Sequence, residues 1–244
     1  MKTASFTLLF LFIITFQYSA FSQSKDSSSI FAGITSSEKI SLSKSFDFDK
    51  SLILVHTTGV KSNKTDLEYT LRYPDNQAYM SMTISGFADE NPNTKPEILI
   101  NFEEDKMITF MNFADSKMAM VRNLSESKNG VAILNTSYQN LEKTGKTKKI
   151  LGYSCKEYTF KNPDLEGRVW LAPSISDEFA NSFSTLGLFI TSDTTSDSSG
   201  YIMRLHASDI NTGEIQSLVV KDINQKAPYS IDAENYVIAV HPSE

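Results

Sequence analysis

The sequence predicts a mainly β (α+β) domain: a curved antiparallel sheet, or incomplete β-barrel, with a helix covering its concave side. Three observations predict it. Apolar residues recur at every second position in short runs that end in turn residues. Two such hairpins follow each other directly, the first ending at Ile84 and the second at Phe113. One stretch alone, from Ser174 to Gly187, changes to a helical period.

The chain opens on Lys2, an apolar run from Phe6 to Phe16 interrupted only by Thr7 and Thr15, and the small-residue end Ala20-Phe-Ser22. That pattern predicts a secretory signal peptide over 1–22, cut before Gln23. The run is shorter than the roughly 20 apolar residues of a membrane span, so no transmembrane anchor is expected after cleavage. Residues 23–45 begin polar and serine-rich and are expected to form a partly disordered leader. One domain is expected over 46–244.

Removing Lys2 with the signal leaves 22 basic against 29 acidic side chains, a formal charge of −7. That balance argues against nucleic acid as a partner. Cys155 is the only cysteine, so no intramolecular disulfide can staple the fold and the core must hold it.

Phe46-Asp-Phe48 and the apolar run Leu52–Val55 predict one long first strand, with a polar break at Gly59–Lys64. Leu67, Tyr69, Leu71 and Tyr73 alternate, Pro74–Gln77 supplies a turn, and Met80, Met82 and Ile84 alternate back. The pattern repeats over Glu97–Phe102, the charged turn Glu103–Lys106, and Met107–Phe113. Lys117–Val121 is a further strand, and Val131–Tyr138 a weak strand or an irregular crossing. A long strand from Gly145 through Phe160, a turn at Asn162–Gly167 and a strand centred on Val169–Leu171 complete the central hairpin, which holds the only Trp.

The helix follows. Ile175, Phe179, Phe183 and Leu186 form one apolar stripe, Ser174 with Asp177 resembles a capping box, and Gly187 suits the stop. Thr191–Gly200 is a low-complexity loop; Tyr201–Ala207, Gln216–Ile223 and Tyr236–Val240 close the sheet.

No residue set announces a reaction. The three histidines are scattered, and no zinc-protease, phosphate-loop or nucleophile-elbow motif is present. No catalytic residue, metal or cofactor is therefore expected. Cys155 reads as a buried small hydrophobe, and Asp193–Gly200 lacks the rhythm of a calcium loop. Lys143, Lys146, Lys148 and Lys149 form a basic run, read either as a solvated strand entry or as a dock for an anionic lipid head group. The methionines carry the remaining signal. Met80, Met82, Met107, Met111, Met118 and Met120 crowd into one segment. They read as core filling, as a pliable apolar cavity or, least of all, as thioethers for a soft metal. With Trp170, Phe179 and Phe183 they are the candidate cavity residues.

The order of signal peptide, Phe46-Asp-Phe48, the hairpin from Leu67 to Met82, Thr144-Gly-Lys-Thr-Lys-Lys-Ile-Leu-Gly-Tyr-Ser-Cys155-Lys-Glu-Tyr158, and Val169-Trp170 resembles an exported bacterial family of unknown function. That family is similar to the LolA/LolB-like lipoprotein carriers. The resemblance implies a half-barrel whose concavity is closed by helices and, in the carriers, receives acyl chains. It also implies a protein of the periplasm of a Gram-negative bacterium, or a secreted one. The expected partner is a lipid or lipoprotein acyl chain. A cell-envelope protein docked on a packed, ligand-free half-barrel is the alternative.

Overall fold

The structure is a computed structural model. It describes residues 42–240 apart from 61, 77, 87–94, 114–115, 126–140, 176–178, 180–182, 185 and 191–198. The expected signal peptide, the weak strand near 131–138 and the loop over 191–198 lie outside the described residues.

Fifteen strands are described. A small two-stranded sheet pairs β1 (Ser45–Phe48) with β14 (Tyr229–Asp232). The other strands form one sheet, open at both ends, in the order β15-β7-β6-β5-β4-β3-β2-β13-β12-β10-β9-β8, with β11 (Phe189–Ile190) added beside β12. In chain order these are β2 (Lys50–Val60), β3 (Asn63–Tyr73), β4 (Tyr79–Ser85), β5 (Glu97–Asn101), β6 (Lys106–Phe113), β7 (Ser116–Asn123) and β8 (Glu142–Ile150). Then come β9 (Tyr153–Lys161), β10 (Leu165–Ala172), β12 (Gly200–Asp209), β13 (Ile215–Asn224) and β15 (Val237–Val240). The sheet is curved and does not close into a barrel. Register shifts between Trp170 and Leu171 and between Val220 and Asp222 bend it, since an extra residue in one strand adds local twist.

Several expectations need correction. The first strand is two, because Asp49 breaks the run: its N–H donates to the Tyr73 carbonyl and its own carbonyl accepts from Ala227 N–H. Phe46 and Phe48 therefore belong to the small sheet and Leu52 and Leu54 to the large one. The strand expected from Gly145 through Phe160 is also a hairpin. Leu151 (φ 50°) and Gly152 (φ 86°) form its two-residue turn, with Ile150 opposite Tyr153. Two central residues at positive φ match the twist of flanking strands, although a leucine there costs roughly 1–2 kcal/mol. Nor is Gly167 a turn residue: it sits inside β10, where a Cβ would meet the His206 carbonyl at 2.3 Å and the Phe160 ring at 2.7 Å. The turn is Asn162–Asp164, with Asn162 Oδ1 accepting from Asp164 and Leu165 N–H. The sheet is not wholly antiparallel either, because β15 runs parallel to β7. β14 is a strand that no sequence period announces.

No helix is among the described elements, so the covering helix is not shown. Of its expected span, Phe179, Phe183 and Ser184 have helical backbone. Leu188 N–H donates to the Phe183 carbonyl at 2.7 Å, Gly187 N–H donates to that of Ser184 at 3.1 Å, and Gly187 has φ 70°. Those bonds are the paired closure of a helix C-terminus at a left-handed glycine.

Two main apolar cores lie on the sheet, with a small third cluster where β15 meets β7. The larger joins Leu52, Leu54, Leu71, Tyr73 and Met80 with Tyr158, Val169, Leu205 and Leu218, and is closed by Ile175, Phe179, Phe183, Leu186 and Leu188. The smaller packs Phe46, Phe48 and Ile231 of the small sheet onto Leu99, Ile108, Phe110, Ala119 and Val121. Leu99 and Ile100, neighbours that point to opposite faces, are both fully buried. That strand is covered on both sides, the situation in which apolar runs are continuous rather than alternating.

Candidate functional site

The candidate residues do not form one group. Met80 and Met82 on β4, Met107 on β6, and Phe179 and Phe183 all belong to the larger core, with exposures of 2% or less. Tyr73 meets the Phe179 ring edge-on at 5.7 Å, and Phe183 meets Tyr201 edge-on at 5.8 Å. Those contacts seat the closing residues on β3 and β12. Trp170 is half-buried at the margin of this core. Met111, Met118 and Met120 lie apart, in a separate small cluster with Ala239 of β15. The sequence spacing could not separate them, because the register puts all six methionines on one face: Met80 stands opposite Ile100, Ile100 opposite Met107, and Met111 opposite Met118, so what divides them is distance across that face.

Among the described side chains the wall of the larger core is apolar, and the space facing Met80, Met82, Phe179 and Phe183 is taken by protein. A molecule entering there has to displace side chains. Phe179 and Phe183 are the ones supplied by the closing stretch rather than by a strand.

Polar groups gather at two other places. On β9, Glu157 is nearly fully buried opposite Trp170. It faces a bulge in β8, where three residues, Thr144 to Lys146, stand between the paired positions Lys143 and Thr147. The Thr144 hydroxyl donates to its carboxylate at 2.9 Å and Lys146 Nζ pairs with it at 3.3 Å. Burial opposes ionisation of Glu157, but these two partners outweigh it and hold the carboxyl below its ordinary value. Lys148 Nζ lies 4.0 Å from the centre of the Trp170 ring, a cation–π contact. The second place is where the small sheet meets the large one. Tyr229 OH and Ser81 Oγ both donate to the Glu97 carboxylate at 2.8 Å, and the Arg72 guanidinium stacks 4.1 Å over the Tyr229 ring. Burial first, and then the bond to Glu97, push the Tyr229 hydroxyl up to about 12. Nothing in the sequence announced this cluster, since its members are distant and Tyr229 lies in the missed strand.

Cys155 is fully buried, and its thiol donates to the Tyr153 carbonyl at 3.4 Å. Burial pushes the thiol up, against Lys148, which draws it down. A raised thiol is a poor nucleophile. Among the described residues no group of three or more His, Cys, Asp or Glu is placed to hold a metal ion, and no helix is long and apolar enough to cross a membrane.

A family model described as a domain of unknown function, DUF4412, matches residues 52–213. The chain belongs to this DUF4412 family. Its matched span runs from β2 to the turn after β12 and leaves out both strands of the small sheet. No curated protein matches the sequence. The fold is similar to a LolA superfamily protein from Nitrosomonas europaea, at 11% identity and a TM-score of 0.31 over 74% of this chain and 87% of that one. It is similar to a DUF1329 family protein from Desulfovibrio piger, at 13% identity and a TM-score of 0.30 over 73% and 85%. It is also similar to PNGF-II, at 12% identity and a TM-score of 0.33 over 79% of this chain. This chain spans about a third of the length of PNGF-II, 31%.

Proposed function

We propose that this DUF4412 protein is an exported, non-catalytic binder of a lipid or another apolar molecule. Residues 46–244 act as one unit in this reading. The ligand lies against Met80, Met82, Met107 and Trp170, and Phe179 and Phe183 give way to it. The observation that supports the reading most is the make-up of the larger core. Its wall comes from the sheet, its closure from the stretch 175–188, and the thioethers of Met80, Met82 and Met107 belong to the wall. Unbranched methionine adapts to irregular apolar shapes, so such a wall can re-form around a guest. The helix expected over 174–187 is part of the proposal, supported by the closure at Gly187.

Native mass spectrometry of the purified protein is expected to find adducts of acyl mass, and a fluorescent fatty-acid probe is expected to bind and to be competed by unlabelled fatty acid. Export is checked by the mature N-terminus, expected at Gln23. The full burial of Met80, Met82, Phe179 and Phe183 favours a second reading, a packed envelope module that docks a protein partner through its surface. An empty protein that refuses the probe decides for that reading.

A further inference from the structure

The hairpin of β8 and β9 carries features that packing does not call for. Its turn places Leu151 at φ 50° with 43% of its surface exposed. A tight turn of this kind suits Asn, Asp or Gly, which tolerate positive φ. Leucine at that spot incurs backbone strain and gains little burial. The exposed strained residue sits at the tip of a basic finger. Residues 142–161 hold six lysines, at 143, 146, 148, 149, 156 and 161, against Glu142 and Glu157, in a chain whose formal charge is −6. Glu157 is buried and already paired with Lys146. Lys149 and Lys156 are exposed, and Lys148 is drawn over Trp170. Among the described strands β8 is also an outer strand of the large sheet, bonded on one side to β9. Its lysines and its bulge blunt that edge against pairing with another strand. What the finger offers is therefore an apolar tip behind which Lys148 and Lys149 stand within three residues and Lys156, opposite Thr147, within four, a rise of roughly 13 Å.

We propose that the β8–β9 hairpin tip docks the protein onto an anionic lipid surface, Leu151 entering the head-group layer while Lys148, Lys149 and Lys156 meet lipid phosphates. The charge complementarity is local: a basic finger on an acidic molecule approaches an anionic surface tip-first, because the remaining faces are repelled. The inference does not depend on the apolar-ligand reading; a protein that binds vesicles and no free fatty acid retains it.

The test is sedimentation of the mature protein, beginning at Gln23, with vesicles of phosphatidylcholine alone and of phosphatidylcholine mixed with phosphatidylglycerol. Binding is expected to the mixed vesicles only, weakening as salt rises. Leu151→Asn relieves the strain, so its melting temperature is expected to hold or rise while its vesicle affinity falls at least about tenfold. Lys149→Gln and Lys156→Gln are each expected to weaken binding about fivefold. Failure of the wild type to sediment overturns the proposal. So does a Leu151→Asn protein that binds as tightly as wild type, since attraction between charges alone would then suffice.

Discussion

His56 shows how a single buried group couples this fold to pH. It sits on β2 with its ring 6.5 Å from that of Tyr69, and its Nε2 lies 3.3 Å from the Gln216 amide nitrogen. Burial lowers its pKa from 6.5 to about 4. The neutral ring can accept from the Gln216 amide; a protonated ring would set donor against donor there. The unfolded chain takes up the proton near pH 6.5 and the folded one only near pH 4, so stability is intact above 6.5 and falls as the pH drops through that window. The loss reaches about 3 kcal/mol by pH 4. Urea titrations at pH 7.5 and pH 4.5 are expected to show it, and a His56→Leu protein is expected to lose less over the same interval. Cys155 makes a second expectation at this scale. Labelling by a thiol reagent is expected to be slow in the folded protein and fast in denaturant, because the thiol is buried and its pKa raised. Fast, complete labelling of the folded chain would contradict the packing role.

At the scale of elements, the small sheet is the part that sequence reading left incomplete. The strands β2 to β7, β10, β12 and β13 were legible because alternation or a continuous apolar run marks each of them. Tyr229–Asp232 carries one buried apolar residue, Ile231, in four, too little for a period to register. The turn at Leu151-Gly152 was missed for a similar reason: leucine does not punctuate a chain. The candidate cavity residues were legible as apolar, yet the methionines, which share one face, divide between two clusters by where the closing stretch 175–188 and β15 lie over that face. No local pattern encodes that. The small sheet's attachment can be tested directly. Tyr229→Phe removes the bond to Glu97 and leaves the ring beneath Arg72, so it is expected to cost about 1 kcal/mol. Phe48→Ala empties a fully buried site between Tyr79 and Tyr229 and is expected to cost about 3–5 kcal/mol. Denaturant midpoints at constant slope give both values.

At the scale of the whole molecule, the chain's late strands close what its early ones open. β13 pairs with β2 over nearly its full length, β14 pairs with β1, and β15 lies beside β7. The larger core needs only the first of these pairings; the smaller core needs the other two. A chain ending at Asn224 keeps β13 and therefore the larger core, but it loses the strand that holds Phe46 and Phe48 in place and β15, whose Ile238 packs against the smaller core. The surface uncovered, including Leu99, Ile108 and Phe110, is apolar and continuous across β5, β6 and β7. Such a face is expected to bind a hydrophobic dye strongly and to drive association. The shortened chain is therefore expected to melt lower, to enhance dye emission and to keep the near-ultraviolet signal of Trp170, which belongs to the other core. Retention of that signal alongside dye binding would show that the two cores are separable, with the small sheet acting as a late-added cover. If the Trp170 signal disappears as well, the two cores fold as one cooperative unit, and the Tyr229–Glu97–Arg72 contacts couple them.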